Sequence, residues 1–157
     1  MERDKILQKI APCSLMCHTC SAYKNGVICE SSKTLLKYLD GMKEFYQKHI
    51  PGAVNDYSIV EGVLGMYSSG PCSGCRSTKH NGCSIKGCFI LECTQEHGID
   101  FCGECNEFPC NKTAELFEKE VYLQWLSGNR QIHDNGIDSF WENNSEKPHY
   151  KAYKKQQ

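Results

Sequence analysis

The chain has 157 residues, the length of one domain, and 39% apolar with 24% charged residues is the composition of neither a disordered nor a membrane-spanning protein. Eighteen Lys and Arg against nineteen Asp and Glu leave a net charge of −1, which excludes a polyanion binder driven by bulk charge. Twelve cysteines are the departure from ordinary usage. The first five residues carry Glu2, Arg3, Asp4 and Lys5, and no apolar run of the kind a secretory leader needs follows them. The longest strongly apolar run is Phe89-Ile90-Leu91, far short of a membrane span. A cytoplasmic protein without membrane contact is therefore expected. In a reducing compartment, clustered cysteines are metal thiolates more often than disulfides.

In chain order, a short helix over Asp4 to Ile10 runs into Pro12 and then Cys13-x3-Cys17-x2-Cys20, with Cys29 eight residues further on. Residues 31–69 contain no cysteine. Leu35, Leu39, Met42, Tyr46 and His49 recur at helical steps and predict an amphipathic helix, with Ser31 or Ser32 as its N-cap and Pro51-Gly52 as its stop. Ser58 and Glu61 have capping-box spacing and predict a second helix through Tyr67. Residues 72–110 hold eight cysteines among five glycines with little periodicity. Beyond Pro109, Leu116, Phe117, Val121 and Trp125 share a helix face that ends at Gly128-Asn129, and a short helix covers Ile132 to Trp141. From Glu146, four lysines with Tyr150 and Tyr153 read as a solvated basic tail.

The expected architecture is an α-rich, small metal-stapled domain over residues 1–145 with few or no strands. It comprises a Cys-free helical insert (31–69), an irregular Cys-rich lobe (72–110) packed on amphipathic helices, helices over 111–143, and the tail 146–157.

Cys13, Cys17, Cys20, Cys29, Cys72, Cys75, Cys83, Cys88, Cys93, Cys102, Cys105 and Cys110 are the candidate metal ligands. A C-x2-C turn lets two thiolates reach one ion at about 2.3 Å from each sulfur. Gly74 and Gly103 suit such turns, and Asn106 tolerates a left-handed backbone. The lobe offers only Ile85, Phe89, Ile90, Leu91, Ile99, Phe101 and Phe108 as large apolar groups, too few to order it without metal. Two or three structural zinc ions are expected, with an iron–sulfur cluster as the alternative, because spacing does not choose the metal. Two groupings stay open. Sequential sharing unites Cys72, Cys75, Cys83 and Cys88 in one site and Cys93, Cys102, Cys105 and Cys110 in another, whereas a cross-braced form pairs Cys72/Cys75 with Cys102/Cys105. The triplet Cys13, Cys17 and Cys20 takes Cys29 or His18 as its fourth ligand, and His80 and His97 are substitutes in the other sites.

The C-x3-C-x2-C spacing is that of radical S-adenosylmethionine enzymes, but Thr19 stands where those have an aromatic residue, and the chain is too short for their barrel. No Ser-His-Asp, HExxH, P-loop or paired-carboxylate signature is present, and no catalytic residue is assigned. Within 72–110, Arg76, Lys79 and Lys86 face five carboxylates, and each zinc tetrathiolate adds two negative charges, so three sites would bring the folded chain to about −7. The leading reading is a zinc-binding protein whose metal is structural and whose surface meets a protein partner. The alternatives are a metal-dependent or redox enzyme at Cys13/Cys17/Cys20 and nucleic-acid binding confined to the basic tail.

Cys13-Ser-Leu-Met-Cys17-His-Thr-Cys20-Ser-Ala-Tyr23, Cys72-Ser-Gly-Cys75 and Cys88-x4-Cys93-x8-Cys102-Gly-Glu-Cys105-Asn-Glu-Phe108-Pro109-Cys110 together resemble domain-of-unknown-function family 3795, a cysteine-rich family of bacteria and archaea. The resemblance covers about residues 11–145 and implies a small zinc-binding cytoplasmic protein. It departs at Ser14, where glycine is usual, and at Cys29, which lies outside the shared pattern.

Overall fold

The computed structural model describes residues 2–77, 83, 85 and 87–154. It is mostly helical, as the sequence leads one to expect. Among the described residues there is no strand, and ladder-type pairing is limited to isolated bridges between Ile10 and Met16 and between Tyr23 and Cys72. No described helix is long and apolar enough to cross a membrane.

Helix α1 is Arg3–Leu7 and stops short of Ile10, because the chain turns there to pair with Met16. Helix α2, Val27–Tyr38, starts earlier than expected. Ser32 lies inside it and back-bonds to the Ile28 carbonyl at 2.8 Å, so neither Ser31 nor Ser32 is the cap. The stripe from Leu35 to His49 is not one helix. Gly41, at φ 79°, breaks it, and α3 (Met42–His49) follows at a new angle. A single 3-10 turn, Pro51–Ala53, leads into α4 (Val54–Ser68), in which Ser58 is interior. Helices α2 and α4 form an antiparallel hairpin: Tyr57 Oη donates to the Leu39 carbonyl at one end, and the Cys29 thiol to the Ser68 carbonyl at the other. Much of the stripe stays half-exposed, and Leu35, Ile59, Val60 and Met66 face outward.

The lobe is less irregular than its composition suggests, since α5 (Ile90–Glu96) lies inside it. After α6 (Lys112–Leu116), helix α7 runs from Lys119 to Asn144. The expected stop at Gly128-Asn129 is mid-helix, and the interruption comes instead at Gly136 (φ 77°, ψ 169°). Both apolar cores are built on α7. One joins Ile6, Ile10, Met16 and Phe101 to Ile132, Ile137 and Phe140; the other joins Ala11, Cys13, Ile90 and Phe117 to Trp125. Trp125 is fully buried, with the Phe108, Phe117 and Tyr122 rings within 6.4 Å.

Asn129, also fully buried, explains why α7 passes through Gly128. Its amide donates to the Cys13 carbonyl (3.3 Å), Ser14 Oγ (3.0 Å) and the Trp125 carbonyl (2.9 Å), and its oxygen accepts from Gly103 N–H at 2.8 Å. Asn106 is not left-handed; the described non-glycine residue that is, Ser14 (φ 62°), is the one held by Asn129. The position where the resembling family has glycine is therefore one whose backbone asks for it. The expected solvated tail also folds back, with His149 Nδ1–H on the Met16 carbonyl (2.8 Å) and Tyr150 Oη bonded to Ser21 Oγ (2.7 Å).

A Cβ at Gly103 would strike the Asn129 backbone carbonyl, which has no flexible end to move aside. Gly103→Ala is expected to cost roughly 1–3 kcal/mol, read from the urea unfolding midpoint, whereas Gly87→Ala, where the same atom meets nothing within 4 Å, tests only the backbone preference.

Candidate metal centre

The two C-x2-C sequences with a cysteine at each end of a one-turn 3-10 helix are built alike. In Cys17–Thr19 the turn closes by Cys20 N–H on the Cys17 carbonyl (2.9 Å), and in Cys102–Glu104 by Cys105 N–H on the Cys102 carbonyl (3.1 Å). Glu104 fixes the second turn from below: its carboxylate accepts the Asp100 and Phe101 N–H groups at 2.8 and 3.1 Å and pairs with Arg3 at 3.2 Å. Backbone N–H groups also point at sulfur, Gly74 N–H at Cys72 Sγ and Glu107 N–H at Cys105 Sγ, both at 3.4 Å. Such N–H···S contacts are the outer support of metal thiolate sites.

Cys93 from α5, Cys102 and Cys105 from the second turn, and Cys110, which follows the cis Phe108–Pro109 bond, all line one cavity of about 30 Å³. Trp125 forms another part of its wall. The indole Nε1–H is buried and bears on Cys102 as a donor that favours the ionised form. Burial dominates, however, and together with the charges of Cys110, Cys93 and Cys105 pushes the Cys102 thiol up to about 11. Cys93 is raised too, by burial and then by Cys110 and Cys105.

Most of the remaining thiols fall into a second neighbourhood. Burial raises Cys17 strongly, and Cys75, Cys20 and Cys72 add to it. Cys75 is pushed up to about 12 by burial and then by Cys83, Cys88 and Cys72. Cys13 is buried between the two neighbourhoods and is raised by burial, with Cys75, Cys17 and Cys102 contributing. Cys29 stands apart, on the Ser68 carbonyl at 3.4 Å. Among the histidines, His97 Nδ1–H bonds the Cys93 carbonyl at 2.7 Å, His18 Nδ1 is buried without a partner beside the Trp141 ring, and His80 lies outside the described residues. Among the described residues, no group of three or more His, Cys, Asp or Glu side chains is placed as it stands to hold a metal ion.

Sequence reasoning missed Arg76, Trp125 and Asn129 as site residues. Arg76 Nη1 donates to the Leu7 carbonyl (2.9 Å) and to that of Ile10, Nη2 to that of Asp100, and the guanidinium lies over the Phe101 ring at 4.9 Å. Its position directly after the Cys72–Cys75 pair was the available signal.

No curated protein and no solved structure matches this chain. A family described as "Protein of unknown function (DUF3795)" matches residues 9–115, a span that contains every cysteine of both neighbourhoods.

Raised thiol pKa values couple stability to pH with a definite sign. In chelator, the folded chain holds Cys75 and Cys102 protonated while the unfolded chain ionises from about 8.5, so the unfolded state gains as pH rises toward 11–12. The urea midpoint, followed by helical circular dichroism, is expected to fall between pH 7.5 and 9.5 by the equivalent of roughly 1 kcal/mol per buried thiol.

Proposed function

From the premise that the chain belongs to the DUF3795 family, whose description assigns no activity, we propose that it is a zinc-stapled module in which Cys93, Cys102, Cys105 and Cys110 hold a structural ion and an outer surface serves a protein partner. The observation that carries this reading is the shared cavity: four thiols from α5, the Cys102 turn and the segment just before α6 line one small space. The buried Trp125 N–H that bears on Cys102 fits the same reading, because a metal-bound thiolate accepts a hydrogen bond that a neutral thiol accepts only weakly.

When bound, zinc would supply cross-linking of four chain positions, and this chain's residues do the rest. Glu107 N–H supports Cys105, Lys112 favours the ionised form of Cys93, and Thr113 Oγ1 holds the Cys110 carbonyl at 2.7 Å. Four protein ligands leave no position for water or substrate, which makes the site a staple rather than a catalytic centre. Tying α5, the Cys102 turn and Cys110 together beside Trp125 is then what the metal would do for the fold. The partner reading is supported by the insert, where Leu35, Ile59, Val60, Val63 and Met66 are exposed apolar groups on α2 and α4. Contact with nucleic acid through the tail is less well supported, since Tyr150 is taken up by Ser21 and Cys20 of the same chain.

The test is metal analysis of protein purified without oxygen or chelator. Zinc with no absorption near 400 nm is expected, and Cys102→Ser/Cys105→Ser should lose one ion per chain and lower the melting temperature on the order of 10 °C. Iron with sulfide and a broad brown absorption would sink the zinc reading, as would full zinc content in the double variant. Because each thiol must release a proton to bind, zinc retention should weaken as pH falls.

A further inference from the structure

Outside the Cys93–Cys110 cavity, backbone pairing decides which thiols meet. Cys72 N–H donates to the Ala22 carbonyl and Lys24 N–H to the Cys72 carbonyl, both at 2.9 Å, so the Cys72–Cys75 turn is stitched to the residues just after the Cys17–Cys20 turn. The Tyr23 ring packs over Gly74, 3.2 Å from where a Cβ would stand, and its hydroxyl donates to the Gln8 carbonyl at 2.9 Å. The two turns are thereby held side by side, although the whole helical hairpin of α2 and α4 separates them in sequence. The thiols that bear on Cys17 are those of Cys75, Cys20 and Cys72, two from each turn when Cys17 is counted with them, while Cys75 is also borne on by Cys83 and Cys88. Two further features point to a charged occupant. Arg76, partly buried and fixed by three carbonyls, bears first on Asp100 and then on Cys75, Cys17 and Cys13. Thr19, inside the first turn and 7% exposed, has a buried hydroxyl with no partner.

Resting on the reading that these thiols bind zinc, we infer that Cys17, Cys20, Cys72 and Cys75 form a second tetrathiolate site, shared between the N-terminal turn and the turn that follows the insert. On binding, four thiols release four protons and leave a centre of charge −2, which Arg76 partly offsets. This set differs from both groupings that spacing suggests: Cys29 is not needed, because its thiol serves the α2–α4 contact, and Cys13 stays a buried thiol. The ion would sit at the base of the insert, since α2 leaves from one turn and α4 returns to the other.

The test uses the full, zinc-loaded chain and counts ions by native mass spectrometry. Cys17→Ser/Cys20→Ser and Cys72→Ser/Cys75→Ser should each lose one zinc, and the quadruple variant should lose that same one and no more. A quadruple variant short of two ions, or either double variant with full zinc, would overturn the shared site. A measurement that needs no variant guards against misfolding. During stepwise chelation of the unmodified chain, peptide mapping of alkylated thiols should show Cys17, Cys20, Cys72 and Cys75 becoming reactive as one group. Early reaction of Cys17 and Cys20 alone, with Cys72, Cys75, Cys83 and Cys88 still protected, would assign Cys72 and Cys75 to the sequential set and overturn the proposal. A Cys102→Ser/Cys105→Ser chain that loses one ion yet keeps the group release of the other four thiols supports this site separately from the first.

Discussion

One side-chain amide organises this protein. Asn129, with no exposure to solvent, bonds the backbone at Cys13, Trp125 and Gly103 and the hydroxyl of Ser14. Three stretches remote in sequence meet there: the segment before the first thiol turn, the second thiol turn and the middle of α7. A buried amide of this kind is costly if any partner is missing and specifying if all are present. The close approach of Gly103 to the same residue leaves no slack between turn and helix. The Cys102 turn and the segment at Cys13 thus take their positions from a hydrogen-bonded contact that contains no thiol.

Arg76 does a comparable job from the other side. Its guanidinium takes carbonyls at the end of α1, where helical partners have run out, and a carbonyl at Asp100, ahead of the second turn. A partly buried cation is tolerable when such acceptors surround it, and it sits where thiolate charge would gather. A cation is thus fixed at the thiol neighbourhood itself, and it would offset part of the charge of any thiolates formed there.

The thiol clusters and the α-rich character were legible in the sequence because both depend on residue type and spacing. Cys93, Cys102, Cys105 and Cys110 lie close together in the chain, and local turns suffice to bring them to one cavity. Long-range choices were not legible. Gly128-Asn129 has the composition of a helix stop, and only the approach of Ser14 and Gly103 turns it into a packing position within α7. The stripe from Leu35 to His49 keeps helical phase across Gly41, and the break lies in a backbone angle that side-chain periodicity does not report. The pairing of Ala22 and Lys24 with Cys72 involves main-chain groups that every residue possesses, so no spacing rule announces it.

The docking of His149 on Met16 and of Tyr150 on Ser21 bears on the order of events at the ribosome. The first thiol turn emerges early, yet the groups that cover it are made well over a hundred residues later, as is the Asn129 amide that holds Cys13. Local structure can form as the chain grows, whereas contacts of this separation wait for the helix α7 and the segment beyond it. During that interval the early cysteines stand without these later contacts. Protection of the N-terminal thiols is in this sense a late product of translation, delivered by residues that carry no sulfur.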